Sequence, residues 1–192
     1  MSYDIPLIEF DPTPEALIEP GRLIKQRDAP AHCVLCFFRE VIDRVVREHG
    51  AREVYVLKSE IGDYALYEID HQGQRLGICQ AGVGAPLAAG FLEELIAVGC
   101  RNFIVCGGSG VLDRAIAVGH LLVPTVAVRD EGTSYHYLPP SREVQADPKS
   151  VAVIERTLQR AGVEYLLCKT WTTDAFYRET AARIQRRKAE GC

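Results

Sequence analysis

The sequence predicts a single α/β domain, and three observations carry that expectation. Residues 75–112 read in turn as a short apolar strand, a glycine turn, an amphipathic helix, a second strand and a second glycine turn. The 192 residues are 47% hydrophobic and 25% charged, enough to bury a core without disulfide or metal staples. No internal repeat, linker or low-complexity stretch divides the chain.

Taken in order, residues 1–30 form an irregular, proline-punctuated arm. Residues 33–38 read as a buried strand, and residues 40–49 as a helix with Val41, Ile42, Val45 and Val46 inward and Gly50 at its end. Arg39 and Arg44 bracket the first turns of that helix. Strands follow at 54–57, 64–69 and 76–79, the last two joined by the hairpin-like turn His71-Gln72-Gly73-Gln74. The central helix places Leu87, Phe91, Leu95, Ile96 and Val98 on one stripe, and Gly99 stops it. Residues 103–106 are expected to be a second buried strand, ending in the turn Gly107-Gly108-Ser109-Gly110.

Beyond this unit, residues 121–128 read as a strand that Pro124 forces to bulge or to lie at an edge. Residues 130–142 form a polar, aromatic loop, whose Tyr135-His136-Tyr137-Leu138-Pro139-Pro140 is rich in rings for a surface segment and points to self-association through this loop and the N-terminal arm. A helix with Pro148 at its first position carries Val151, Ile154, Leu158 and Ala161 inward and ends at Gly162. Residues 163–169 are a further strand feeding the run Trp171 to Tyr177, in which Thr173 or Asp174 is expected to cap a basic helix at 179–188.

Composition removes several function classes. The net charge is −4 with no basic stripe, so the electrostatic footprint of nucleic-acid binding is missing. The start lacks a signal peptide's basic and apolar regions, and no apolar run nears membrane length, so a cytoplasmic protein without membrane association is expected. Of the seven cysteines, Cys33 and Cys36 form a C-x-x-C beside His32. On a strand this spacing sends the two thiols to opposite faces, and no second ligand pair follows, so no metal site is expected.

The glycine turns are then the informative feature. A strand-helix-strand unit of this length places both at the carboxyl edge of one parallel sheet, where open α/β sheets bind ligands. Gly82-x-Gly84 has Leu87 where a dinucleotide fingerprint has its third glycine, and Gly107-x-Ser109-x-Val111 lacks the last glycine of a nucleophile elbow. Backbone amides and one hydroxyl turned toward an anion or a sugar are the better use of residues 107–110.

With these residues in view, the chain resembles the purine nucleoside and uridine phosphorylase family. The resemblance rests on three motifs in order, AGVGAPLAAGFLEELIAVGCRNFIVCGGSGVL, VGHLLVPTVAVRDEGTSYHYLPPS and TTDAFYRET, and runs from about Cys33 onward. It implies a single-domain, three-layer fold over residues 31–192, with a central mixed sheet flanked by helices, assembled as a homo-oligomer of dimers or trimers of dimers. It also implies a pentosyltransferase of nucleoside salvage. Such an enzyme cleaves the N-glycosidic bond of a nucleoside with inorganic phosphate as co-substrate, gives free base and (deoxy)ribose 1-phosphate, and needs no cofactor or metal. A nucleoside hydrolase using water, for which Glu40 is the candidate carboxylate, and a non-catalytic nucleoside-binding homologue are the alternatives left open.

Residue by residue, Gly107 and Gly110 match the family's glycine turn, Gly108 occupies the place of a phosphate-binding hydroxyl, and Ser109 lies beside it. Arg44 falls on the arginine of an early phosphate loop whose other residues differ here, while Val105 and Gly62 stand where two further phosphate arginines are found. The resemblance thus implies a phosphate set of Arg44, Gly107, Gly108 and Ser109. Phe176 matches the aromatic that packs on the base, and with Thr172, Thr173, Asp174 and Tyr177 it makes up the implied nucleoside set. Thr180 and Ala182 replace the glutamine and arginine that read uracil. The family's Met-Glu ribose pair and base-protonating aspartate would lie beyond Cys192, which leaves the catalytic residues unassigned.

Overall fold

The computed structural model describes residues 5–192, so the first four residues of the expected arm lie outside the described residues. It is the anticipated α/β fold, resolved into two compact units: Thr13–Ser109, and Gly110–Cys192 together with the chain up to Pro12.

The first unit holds α1 (Pro20–Leu23), β1 (His32–Cys36), α2 (Arg39–Glu48), β2 (Arg52–Ser59), β3 (Gly62–His71), β4 (Gln74–Gln80), α3 (Ala85–Val98) and β5 (Asn102–Cys106). Its mixed sheet runs β2-β3-β4-β1-β5. β1 pairs in parallel with both β4 and β5, while β2, β3 and β4 form an antiparallel meander. Between β3 and β4, Gln72 (φ 55°) and Gly73 (φ 79°) form a two-residue turn with both residues left-handed, the geometry that matches the twist of a hairpin.

Alternation along β1 decides the layers. Cys33 and Leu35 join Leu57, Leu66, Cys79 and the α3 residues Phe91, Leu95 and Val98 on one face. Cys36 joins Ile42 of α2 and Ile78 on the other. The two thiols of the C-x-x-C therefore sit in different apolar clusters, as the period of two requires.

Two expectations are corrected here. Ile96, assigned to the buried stripe, is 45% exposed. Successive helical residues point about 100° apart, so Leu95 and Ile96 cannot share one narrow face. β5 was expected to be buried, yet Ile104 is 45% and Val105 60% exposed, because β5 is the outer strand of its sheet and has β1 alone beside it.

The second unit contains β6 (Leu121–Asp130), β7 (Glu143–Gln145), α4 (Pro148–Arg160), β8 (Tyr165–Thr173) and α5 (Ala181–Ala189). The sheet order is β7-β6-β8, with β8 parallel to β6 and β7 antiparallel to it. The expected irregularity at Pro124 is a register shift between Pro124 and Val126. α4 starts as anticipated, with Asp147 accepting from the amides of Lys149 and Ser150. The segment between β6 and β7 is more ordered than a loop, since Thr133–His136 forms a 3-10 turn.

Capping at the last helix differs from expectation. A 3-10 turn, Phe176–Arg178, intervenes after β8, and Thr180 is the N-cap of α5, its hydroxyl accepting from the Arg183 amide at 3.3 Å. Thr173 and Asp174 do not cap this helix because at least six residues, the separate turn among them, lie between them and its start.

Candidate active site

The parallel register of β4, β1 and β5 aligns Gln80, Cys36 and Cys106 across the sheet. The three connections that leave it therefore start at one level. The Phe37 amide donates to the Cys106 carbonyl and the Ala81 amide to the Cys36 carbonyl, each at 3.0 Å, which ties them together. Both α2 and α3 begin here, with Phe38 and Gly84 at their N-caps and no side chain capping either. Two helix N-termini with amides unclaimed by capping groups give this edge a positive character.

Gly107 and Gly108 follow β5 directly. A Cβ on Gly107 would lie 2.8 Å from Cδ2 of Phe37, whereas one on Gly108 would meet Phe38 at 3.7 Å, an ordinary contact. Packing against Phe37 thus requires glycine at 107, while the exposed Gly108 and Ser109 leave their main chain open to a ligand. Arg39, the first residue of α2, donates from Nη1 to Gln80 Oε1 and from Nε to Asp43 Oδ1, both at 3.2 Å. Arg39 and Gln80 also line a cavity of about 350 Å³ that extends over β2 and β3 past Asp43, Glu53 and Tyr67. Arg44 lies exposed, more than a turn further along α2. The cation nearest the carboxyl edge by position is Arg39, marked in the sequence by its place directly after the first strand.

Two thiols at this edge, Cys106 and Cys79, are held above their ordinary range. Burial, with the Cys36 thiol beside it, pushes Cys106 up to about 11, and burial pushes Cys79 up to about 12. Both stay protonated at neutral pH.

In the second unit, β8 continues through Trp171, Thr172 and Thr173, four residues beyond the expected end. Its pairing with β6 puts Thr172 opposite Arg129 and Thr173 opposite Asp130. The Thr173 hydroxyl accepts from the Ala175 amide at 3.2 Å, and Asp174 Oδ2 accepts from the Gly132 amide at 2.8 Å. Phe176 and Tyr177 are 64% and 90% exposed, with ring centroids 4.3 Å apart. An open aromatic pair next to a polar strand end can hold a flat polar ring.

Three buried charged residues that the sequence reading passed over hold this strand end. Arg129, 4% exposed, donates to the Ser134 and Ser141 hydroxyls and to the carbonyls of Leu138 and Pro139, and lies over the Tyr135 ring. Glu131 accepts from the amide and the hydroxyl of Ser134. Arg187 of α5 donates to Asp130 Oδ2 and Glu190 Oε2, both at 2.9 Å, and Trp171 Nε1 shares that Asp130 oxygen at 3.1 Å. Burial opposes the Arg187 charge, but the Asp130 and Glu190 carboxylates more than offset it and hold the guanidinium above its ordinary value. The sequence signal was the pair of charges at the end of an otherwise apolar strand, Arg129-Asp130.

The structure accordingly brings Gly107, Gly108 and Ser109 together with Phe37, Phe38 and Arg39 in one unit. It gathers Thr172, Thr173, Asp174, Phe176 and Tyr177 at one strand end in the other.

The family model described as Phosphorylase superfamily matches residues 31–192. A uridine phosphorylase of Thermococcus kodakarensis is 31% identical over 60% of this chain and 42% of its own length. A guanosine phosphorylase of Halorubrum lacusprofundi is 31% identical over 84% of this chain and 66% of its own. The crystal structure of uridine phosphorylase from Vibrio fischeri superposes with a TM-score of 0.74 at 25% identity, over 85% of this chain and 67% of that one. The chain thus spans between two fifths and two thirds of the length of these relatives.

Proposed function

Because the chain belongs to the phosphorylase superfamily, we propose that it serves phosphorolysis of a nucleoside: an oxygen of inorganic phosphate attacks the anomeric carbon as the C–N bond breaks. The bond's electrons leave with the base, which gains a proton, and the products are free base and (deoxy)ribose 1-phosphate. The observation that carries this reading is the anion-suited carboxyl edge, where two helix N-termini start and the Gly108-Ser109 main chain lies open, with Arg39 as the first residue of α2. Cleavage builds positive charge on the sugar, so an anion held there is both counter-charge and attacking group. The phosphate set is Gly107, Gly108 and Ser109 with Arg44, to which Arg39 is added. The nucleoside set is Thr172, Thr173, Phe176 and Tyr177, while Asp174, whose carboxylate accepts from the Gly132 amide, lies between them in the chain. The names of the relatives support this chemistry, and they include both a uridine and a guanosine phosphorylase.

No helix among the described residues is long and apolar enough to cross a membrane. We place the protein in the reducing cytoplasm, in line with its seven free thiols. We also propose a homo-oligomer, supported by Tyr137 and Leu138 standing 52% and 43% exposed after the 3-10 turn.

The test is base release from a panel of purine and pyrimidine nucleosides with and without inorganic phosphate. Release is expected to require phosphate. Equal release without it would make the protein a hydrolase, and no release from any nucleoside would leave a binding role. Phe176→Ala is expected to weaken nucleoside binding by about 1–3 kcal/mol through lost stacking, with phosphate affinity nearly unchanged. Ser109→Ala should show the opposite pattern.

A further inference from the structure

The resemblance assigns Asp174 to the nucleoside, yet its carboxylate is already engaged. Oδ2 accepts from the Gly132 amide at 2.8 Å, bridging the end of β8 to the chain just past β6. One residue on, the chain is tied again at short range: the Ala175 amide donates to Thr173 Oγ1 at 3.2 Å, and the Arg178 amide to the Ala175 carbonyl at 2.8 Å. These bonds define the turn on which Phe176 and Tyr177 stand, and both rings are exposed without burial of their own to hold them. Gly132 is in turn set by its neighbour, since Glu131 is buried and bonded to Ser134. A buried, hydrogen-bonded stretch on one side thus reaches the aromatic pair through the charge-assisted Gly132–Asp174 bond, just past the last β6–β8 ladder pair, Asp130 with Thr173.

We propose that Asp174 is a positioning residue, acting through the Gly132 amide to fix the turn that presents Phe176, and that it makes no contact of its own with the nucleoside. The inference rests on the nucleoside reading of this strand end. Asparagine keeps a carbonyl oxygen able to accept from Gly132 but loses the negative charge. Asp174→Asn should therefore keep the nucleoside KM near that of the parent protein, whereas Asp174→Ala should raise it about ten-fold with little change in kcat or in the phosphate KM. Gly132→Pro removes the donor and should reproduce Asp174→Ala. Gly132→Ala should be silent, because its Cβ would meet Leu7 at 3.5 Å and Asp174 Oδ2 at 3.7 Å, ordinary contacts.

Amide hydrogen exchange read by NMR separates this idea from the reading beneath it. Asp174→Ala is expected to release protection at Gly132, Ala175 and Arg178 together, and Asp174→Asn to retain it. Loss at Gly132 alone would overturn the proposal, as would an Asp174→Asn protein that keeps all three protections yet loses nucleoside affinity as badly as the alanine variant. If no nucleoside is cleaved by the parent protein, the functional reading fails while the exchange pattern still decides the positioning.

Discussion

Leu95→Ala is expected to destabilise the protein by about 3–5 kcal/mol, the range for a fully buried leucine whose site cannot collapse. Leu95 has no exposed surface and sits in the apolar cluster with Phe91, Val98, Leu57 and Leu66, where α3 covers the sheet. Rigid strand partners on one side and the helix backbone on the other leave little room to refill the cavity. Ile96→Ala, one residue along, should cost under about 1 kcal/mol, since this side chain already faces solvent over nearly half its surface. Urea unfolding of the two variants checks the pair. Equal losses would mean that α3 is rotated from the orientation described, with both side chains sharing the interface.

The second large effect is expected at Arg129. Methionine there keeps much of the volume but removes every donor, and should lower stability by about 2–4 kcal/mol. Four acceptors lose their partner at once: the carbonyls of Leu138 and Pro139 and the hydroxyls of Ser134 and Ser141. The cation also leaves the face of Tyr135, where it lies 4.3 Å from the centroid. Some of these acceptors are close enough to the surface to recover water, which keeps the figure below that of a sealed ion pair. Lysine should rescue poorly, because a point ammonium cannot reproduce the planar fork that serves separate acceptors. A thermal melt of Arg129→Met within a degree or two of the parent would show that the segment from 133 to 142 holds itself without the guanidinium.

How much of this was legible beforehand differs between the two halves of the candidate site. The glycine turn after β5 could be read in the sequence, because Gly107-Gly108-Ser109-Gly110 directly follows an apolar run and glycine there has few other uses. The structure adds a reason for one glycine that the local pattern does not carry: a Cβ at 107 would collide with the Phe37 ring. At the other half, the run Thr172 to Tyr177 was visible as a polar and aromatic cluster, but the partners of its members were not. Gly132 and Asp174 lie 42 positions apart, Asp130 and Arg187 57 apart. No periodicity joins residues at such separations.

The sequence by itself determined the alternation of strands and helices, the ends of most elements and the split of Cys33 from Cys36. Those follow from local rules: the period of two along a strand, the 3.6 residues of a helix turn, and the backbone demands of glycine and proline. Only the tertiary structure decided that β5 is an outer strand rather than a buried one and that Ile96 faces water. It alone also decided that Arg129, Glu131 and Arg187 are buried. Each of these depends on which segment becomes the neighbour of which, and on whether a charge finds a partner far along the chain to offset its loss of water. Pairing across distance is a property of the folded whole, and one chain's local pattern carries no record of it.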